Sequence, residues 1–408
     1  MIPAASLPSK SSPGLALLDG IRVLDLTTSI AGPYATQLLA DLGATVLKIE
    51  KPGSGDDCRA WGPPFLDGES LWFLSVNRNK LSATLDLGSE RGHELLQALL
   101  ARTDVIVLNL PARAQARLKV DFDTLSRGRP ALVHVSITGF GLDGDRADTP
   151  CYDLIAEGYS GVMDLTGEPD GAPQKVGTPA ADMLAGQDAA MAVLAALFRR
   201  QKDGGGCRID ISMVESMTRF VSPRVLPYLG SGVVPRRSGG RDSVIAIYQV
   251  FETADAPMTL GLGNDAIWQR FWTAVGQPER GRAAEHDSNA RRREHRARIV
   301  ADIAQLLAQQ PRAHWLQLFA QARVPAGPIN RIDELAQDPE LWRRGLLYAA
   351  ERDGHAVPQV GLGIQFDGRS EGCRRLPPKL GQDNGEVYGG WLGLSDAQIA
   401  HLRERNII

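Results

Sequence analysis

The chain has 408 residues, 43% of them hydrophobic and 23% charged, with 45 Lys and Arg against 48 Asp and Glu for a formal charge of −3. This is the balance of an ordinary globular protein, long enough for two or three domains at roughly 150 residues each. It offers no basic footprint for nucleic acid, and no uninterrupted apolar run reaches the ~18 residues of a membrane span, the longest candidate being residues 189–198.

The N-terminus lacks a basic start followed by an apolar segment, and a loose tail is expected up to about Gly14. Cys58, Cys151, Cys207 and Cys373 have neither metal-ligand nor redox spacing, which suits a reducing, cytoplasmic location. Residues 21–26 (IRVLDL) predict a strand, and 34–42 a helix with Leu38, Leu39 and Leu42 on one face and Gly43 as its C-terminal stop. Strands are predicted at 45–49, 105–108 and 132–137, with a helix at 95–100. That alternation argues for a parallel sheet covered by helices. A buried helix is expected over 182–200, a break at QKDGGG, and a strand over 208–213.

Beyond about Val221 the rhythm changes. PRRSGGRD (235–242) reads as a linker or active-site loop, and strands at 245–251 and 258–263 open a smaller α+β unit. Residues 291–308 predict one amphipathic helix whose basic start is a solvated face. The chain closes with a helix, a β-like segment, LPPKLGQDN (376–384) and a terminal helix.

GFGLDG (139–144) satisfies G-x-G-x-x-G by letter, but DRADTP follows instead of a helix, so no dinucleotide site is expected. The seven histidines are dispersed, and no metal site is expected. The richer constellation is GTPAADMLAG (177–186), which sets Asp182 at the start of an apolar helix. Asp182 is there either an N-cap or a nucleophile kept ionised by the helix N-terminus.

Several long segments carry a resemblance: DGIRVLDLTTSIAGPYATQLLADLGATVLKIEKPGSGDDCRAWGPPF (19–65), SVNRNKLSATLDL (75–87), YDLIAEGYSGVMDLTGEPDGAPQKVG (152–177) and LGQDNGEVY (380–388). In these the chain resembles family III CoA-transferases. The resemblance implies that Asp182 is the nucleophile, in a G-x-P-x-x-D-x-x-x-G context, passing through aspartyl anhydride and aspartyl-CoA thioester intermediates. It implies a CoA thioester as co-substrate, with no permanently bound cofactor. For CoA binding it implies Ile30, Ala31, Lys51, Leu85, Asn109, Leu110, Arg117, Tyr152 and Asp153. Ile30 stands where some formyl-CoA enzymes carry a polar residue, which argues against formate or oxalate chemistry. A sister group racemises 2-methylacyl-CoA with a His in a G-H-D context; here the letters are Cys151-Tyr152-Asp153 and the base is missing. Racemase/epimerase and non-catalytic CoA-binding protein are the alternative readings.

The expected architecture is α/β. A Rossmann-like large domain comprises 15–200 with 336–408, followed by a linker at 201–235 and a small α+β domain at 236–335, in an interlocked homodimer. GDDCRAWGPPF…SVNRNK resembles the branch acting on succinyl-CoA with small dicarboxylates such as glutarate, itaconate or mesaconate. A second carboxylate needs a cation, for which Arg59, Arg236, Arg237 and Arg241 are candidates. Gly239 and Gly240 are read as an active-site cover that excludes water, or else as an ordinary linker. Partners are expected to be an acyl-CoA donor and a carboxylate acceptor, with neither nucleic acid nor membrane.

Overall fold

The computed structural model describes residues 4–10 and 12–408. The chain forms two compact units, a larger one from Met1–Val162, Lys175–Gly232 and Ala336–Ile408, and a smaller one from Met163–Gln174 and Val233–Leu335.

In the larger unit the elements run β1 (Arg22–Leu26), α1 (Ala31–Asp41), β2 (Thr45–Glu50), β3 (Lys80–Thr84), α2 (Glu90–Leu100), β4 (Val105–Leu108), β5 (Val133–Thr138), α3 (Asp153–Ser160), α4 (Ala180–Asp203), β6 (Cys207–Ser212), α5 (Met213–Phe220) and α6 (Ser222–Ser231). All six strands are parallel in the order β3-β2-β1-β4-β5-β6. This is the doubly wound order in which the direction of winding reverses between β1 and β4. Central strands such as VIVL are buried along their whole length, as a sheet covered on both faces requires. Helix α1 begins at Ala31, not Tyr34, so Ala31-Gly32-Pro33 forms its first turn. Proline is tolerated there because the first N–H groups of a helix have no partner inside it. Strand β3 carries no clear apolar signal in the sequence, because Lys80 and Ser82 interrupt it, although every residue of it is buried.

Residues 201–235 are not merely a connector. They hold the edge strand β6 and two helices, and all but 233–235 belong to the larger unit. Helix α4 runs 24 residues and is, by length and hydropathy, long and apolar enough to cross a membrane, although charged and polar residues interrupt its apolar stretches. It buries Ala181, Ala185, Gly186, Ala189, Ala190 and Val193 and packs on α1, where a Cβ at Gly186 would lie 2.7 Å from the Ala31 carbonyl oxygen.

The smaller unit carries an antiparallel sheet of β7 (Tyr248–Phe251), β8 (Met258–Gly261) and β9 (Ala326–Pro328), ordered β9-β8-β7. Helices α7 (Asp265–Ala274), α8 (Asn289–Glu294), α9 (Arg296–Leu307) and α10 (Arg312–Gln321) complete it. Their core is aromatic, with Trp268, Phe271, Trp272, Trp315 and Phe319 all buried. The single helix expected over 291–308 is two, interrupted at His295. Arg292, expected on a solvated face, is buried, pairs with Asp265 and lies over the Trp268 ring.

Back in the larger unit, β10 (Leu347–Arg352) and β11 (His355–Val360) form a hairpin, and α11 (Asp396–Glu404) ends the chain. The expected loose tail is tied down among its described residues: Ser9 bridges Ala349 and Lys10 Nζ donates to the Ser370 carbonyl at 2.7 Å. Met1 to Pro3 and Ser11 lie outside the described residues. LGQDN seals the outer edge of β3, since Asp383 and Asn384 accept the Ser82 and Thr84 N–H groups at 2.8 and 2.9 Å.

Candidate active site

In an open α/β sheet the ligand crevice lies beyond the strand ends where the winding reverses. Here that places Thr28 and Ser29, after β1, beside Asn109, after β4. The Asn109 side chain accepts from Thr28 N–H at 3.1 Å and donates to the Thr28 carbonyl at 2.8 Å, locking the two loops together. A buried charge network holds the β1–α1 turn. Lys48 pairs with Asp56 at 2.8 Å and donates to the Thr27 carbonyl at 2.7 Å. Lys80 pairs with Asp25 at 3.0 Å and donates to the Pro33 carbonyl at 2.8 Å. Burial pushes the Asp25 carboxyl up, but the Lys80 and Lys48 ammonium groups and the Thr27 and Thr36 hydroxyls hold it well below the usual carboxylate range.

Asp182 faces this turn from the first turn of α4. It is not the N-cap, a position held by Pro179, which offers no side-chain acceptor. The capping acceptor comes from α3: Asp153 Oδ1 accepts from Ala181 N–H at 2.8 Å and from Asp182 N–H at 3.3 Å. The Asp182 carboxylate is thereby released from capping duty. The expectation that the helix N-terminus alone keeps it ionised is corrected. Burial, reinforced by the Asp153 charge, pushes Asp182 up to about 7 against a hydrogen bond from the Ala31 backbone. A carboxyl group poised there is half ionised near neutrality and a better nucleophile than an ordinary carboxylate.

A cavity of about 310 Å³ opens onto Asp182, lined by Thr28, Ser29, Ala31, Asn109, Pro111, Ile137, Thr138, Gly139, Ala147 to Tyr152 and Met213. It gathers Ala31, Asn109, Tyr152 and Asp182 from the predicted set. Asp153 stands behind it as the cap. Ile30 instead lines a second cavity of about 290 Å³ with Tyr34, Trp72, Pro179 and Met183. Lys51 and Arg117 are exposed outside both cavities. Leu85 is buried in the core and Leu110 packs against it, so their side chains serve packing. Thr28, Ser29, Thr138 and Gly139 were missed. Their signal was available, since they follow strands β1 and β5, and Gly139 opens the GFG run set aside as a failed dinucleotide motif.

Among the cation candidates, Arg59 is committed elsewhere. Its guanidinium forks onto Glu50 with two 2.7 Å contacts and lies 3.7 Å from the Phe73 ring centroid, so its Nε and Nη2 are already held. Within the smaller unit, Arg237 is engaged with the Asp164 side chain at 3.1 Å and the Asp164 carbonyl at 3.0 Å. Arg236 and Arg241 are exposed. Gly239 and Gly240 form a turn rather than a featureless linker. Gly239 has φ +60°, the Gly240 carbonyl accepts from Val250 N–H at 2.9 Å, and Arg241 bridges Gln249. With Arg241 and Tyr248 they line a cavity of about 590 Å³ in that unit.

The family described as "CoA-transferase family III" matches residues 18–384. A succinate–glutarate CoA-transferase of Agrobacterium fabrum is 36% identical over 388 residues, covering 93% of this chain and 96% of that protein. A succinyl-CoA:mesaconate CoA-transferase of Haloarcula marismortui is 35% identical, covering 83% and 87%. The crystal structure of a CAIB/BAIF family protein from Brucella suis superposes with a TM-score of 0.80 at 34% identity, covering 92% of this chain and 99% of that one.

Proposed function

Because the chain belongs to CoA-transferase family III, we propose that Asp182 is the nucleophile that moves CoA from succinyl-CoA to a small dicarboxylate of the glutarate, itaconate or mesaconate type. The observation that carries this is a half-buried carboxyl group pushed up to about 7, freed from capping by Asp153, at the mouth of a cavity beyond β1 and β4.

An Asp182 oxygen attacks the thioester carbonyl and expels CoA thiolate, leaving a mixed anhydride. The thiolate then attacks the Asp182 acyl carbon, releasing the donor acid and leaving an aspartyl-CoA thioester. The acceptor carboxylate attacks that carbon and expels the thiolate again. The thiolate attacks the acceptor's acyl carbon in the second anhydride, which frees the new acyl-CoA and regenerates the Asp182 carboxylate. Each step is an acyl transfer between activated acyl groups, which is what covalent catalysis gains. CoA enters as co-substrate, bound across the Thr28–Ala31 turn, Asn109 and Tyr152, with Lys51 and Arg117 reaching its phosphates.

Racemisation needs a second proton-transfer group opposite the first. Among the described residues lining the Asp182 cavity there is no histidine. A non-catalytic role would suit Asp182 as a cap, which it is not.

Arg236 and Arg241, rather than Arg59, are the candidates for the acceptor's second carboxylate, and the Gly239–Gly240 turn for excluding water. The assembly we propose is a homodimer in the cytoplasm. Support comes from an apolar stripe on α4 (Met191, Leu194 and Phe198 are 56%, 36% and 61% exposed) and from α6, which has no buried residue and exposes Leu226 and Leu229. Succinyl-CoA assayed against a panel of free acids tests the substrate class. Transfer to glutarate, itaconate or mesaconate is expected, and transfer confined to oxalate or formate contradicts it.

A further inference from the structure

Helix α3 brings Asp153 and Glu157 to one face, four residues apart. Glu157 is 0% exposed, and nothing in the acyl-transfer scheme uses it. Its Oε2 accepts from Val176 N–H at 2.9 Å, while its Oε1 is buried with no N–H donor. Beside it, near enough to act on it through both charge and side chain, is Asp153, whose Oδ1 already accepts from Ala181 and Asp182 N–H. Two carboxyl groups this close, one of them buried, are compatible only when one carries a proton.

We propose that Glu157 holds this proton at neutral pH and donates it to Asp153, making Glu157 a positioning residue for Asp182. The proton fixes Asp153 as the external cap of α4, and that cap sets both the place and the basicity of Asp182. The inference rests on Asp182 being the nucleophile. Other groups acting on the trio are consistent with it. Burial raises Glu157 above the usual carboxylate range, and the Asp153 charge adds to this; the Val176 N–H and Lys175 oppose. A further titratable group alongside is the Cys151 thiol, raised by burial and by the Asp182 and Asp153 charges and therefore neutral; α5 and α4, packed on α3, also carry Glu215, and Arg219 paired with Asp188.

The test compares Glu157→Gln with Glu157→Leu in the full-length enzyme. The carboxamide oxygen of Gln accepts from Val176 and its NH2 donates to Asp153, whereas Leu does neither. We expect kcat to fall by about tenfold or more in Glu157→Leu, with KM for the acyl-CoA within about twofold, and most of kcat to return in Glu157→Gln. Because Gln matches a protonated Glu in charge, the acid limb of the pH–rate profile stays in place in Glu157→Gln. A downward displacement of more than about half a pH unit would show that Glu157 was ionised, and overturn the proposal. Unchanged kcat in Glu157→Leu would overturn the positioning role.

Of the infrared carbonyl intensity from protonated carboxylic acids at neutral pH, one band should be lost in Glu157→Gln and retained in Asp182→Ala, which removes only the separate contribution of Asp182, itself half protonated near 7. Absence of that band from the native enzyme would also overturn the proposal. The band requires no turnover, so it locates the proton even if Asp182 proves not to be the nucleophile.

Discussion

Three influences meet on one carboxyl group at the first turn of α4: burial and the Asp153 charge raise Asp182, and the Ala31 N–H lowers it, leaving it at about 7. The ionised form is the nucleophile, so kcat/KM for the acyl-CoA donor should rise with pH through about 7 and flatten above it. Asp153→Asn removes the neighbouring charge while its amide oxygen still accepts from Ala181 N–H. The acid limb should then move to lower pH. A limb that stays at its native position in Asp153→Asn would mean that Asp153 does not set the basicity of Asp182. The motif around Asp182 was legible in the sequence, but its capping partner was not, because Asp153 lies 29 residues earlier and only the packing of α3 on α4 joins them. The engagement of Arg59 was hidden for a related reason: Glu50, from β2, pairs with its guanidinium.

Among the elements, β1, β2, β4 and β5 could be read from apolar runs within a residue or two, since a parallel sheet buried on both faces leaves that signal. Strand β3 could not, because its Lys80 is buried as part of the charge network rather than turned to solvent. That network ties the strands to the turn that carries Ala31. Replacing Lys80 by Met leaves Asp25 without its salt-bridge partner in a fully buried site, and should cost about 3–5 kcal/mol. Urea unfolding measures this, and a loss below about 1 kcal/mol would contradict the role assigned to the pair. Asp25 is depressed in the folded state, so its contribution is fully present above an unfolded value of about 3.9 and is lost as pH falls toward the folded one. Acid should therefore weaken the native protein more than Lys80→Met, in which less of that contribution remains to lose.

For the whole molecule, the alternation of strands and helices was enough to anticipate a parallel sheet covered by helices, and the shift in rhythm after Val221 suggested a second unit. The sequence did not show that β6 closes the sheet from within the supposed linker, nor that α4 and α6 present apolar faces. Those faces are the reason to expect a homodimer. Light scattering after size exclusion should give twice the chain mass, and Leu226→Glu together with Leu229→Glu should weaken the association. A stable, active monomer would contradict the assembly.

The most direct measurement of the central claim is chemical trapping at Asp182. The enzyme is mixed with succinyl-CoA without acceptor and quenched with hydroxylamine, which converts an activated acyl group on a carboxylate side chain into a hydroxamate. Peptide mass spectrometry then locates it. The expected result is a hydroxamate on Asp182 that depends on succinyl-CoA and is absent from Asp182→Ala, which binds CoA but no longer transfers it. Full transferase activity in Asp182→Ala, or a hydroxamate on a different residue, would contradict the account.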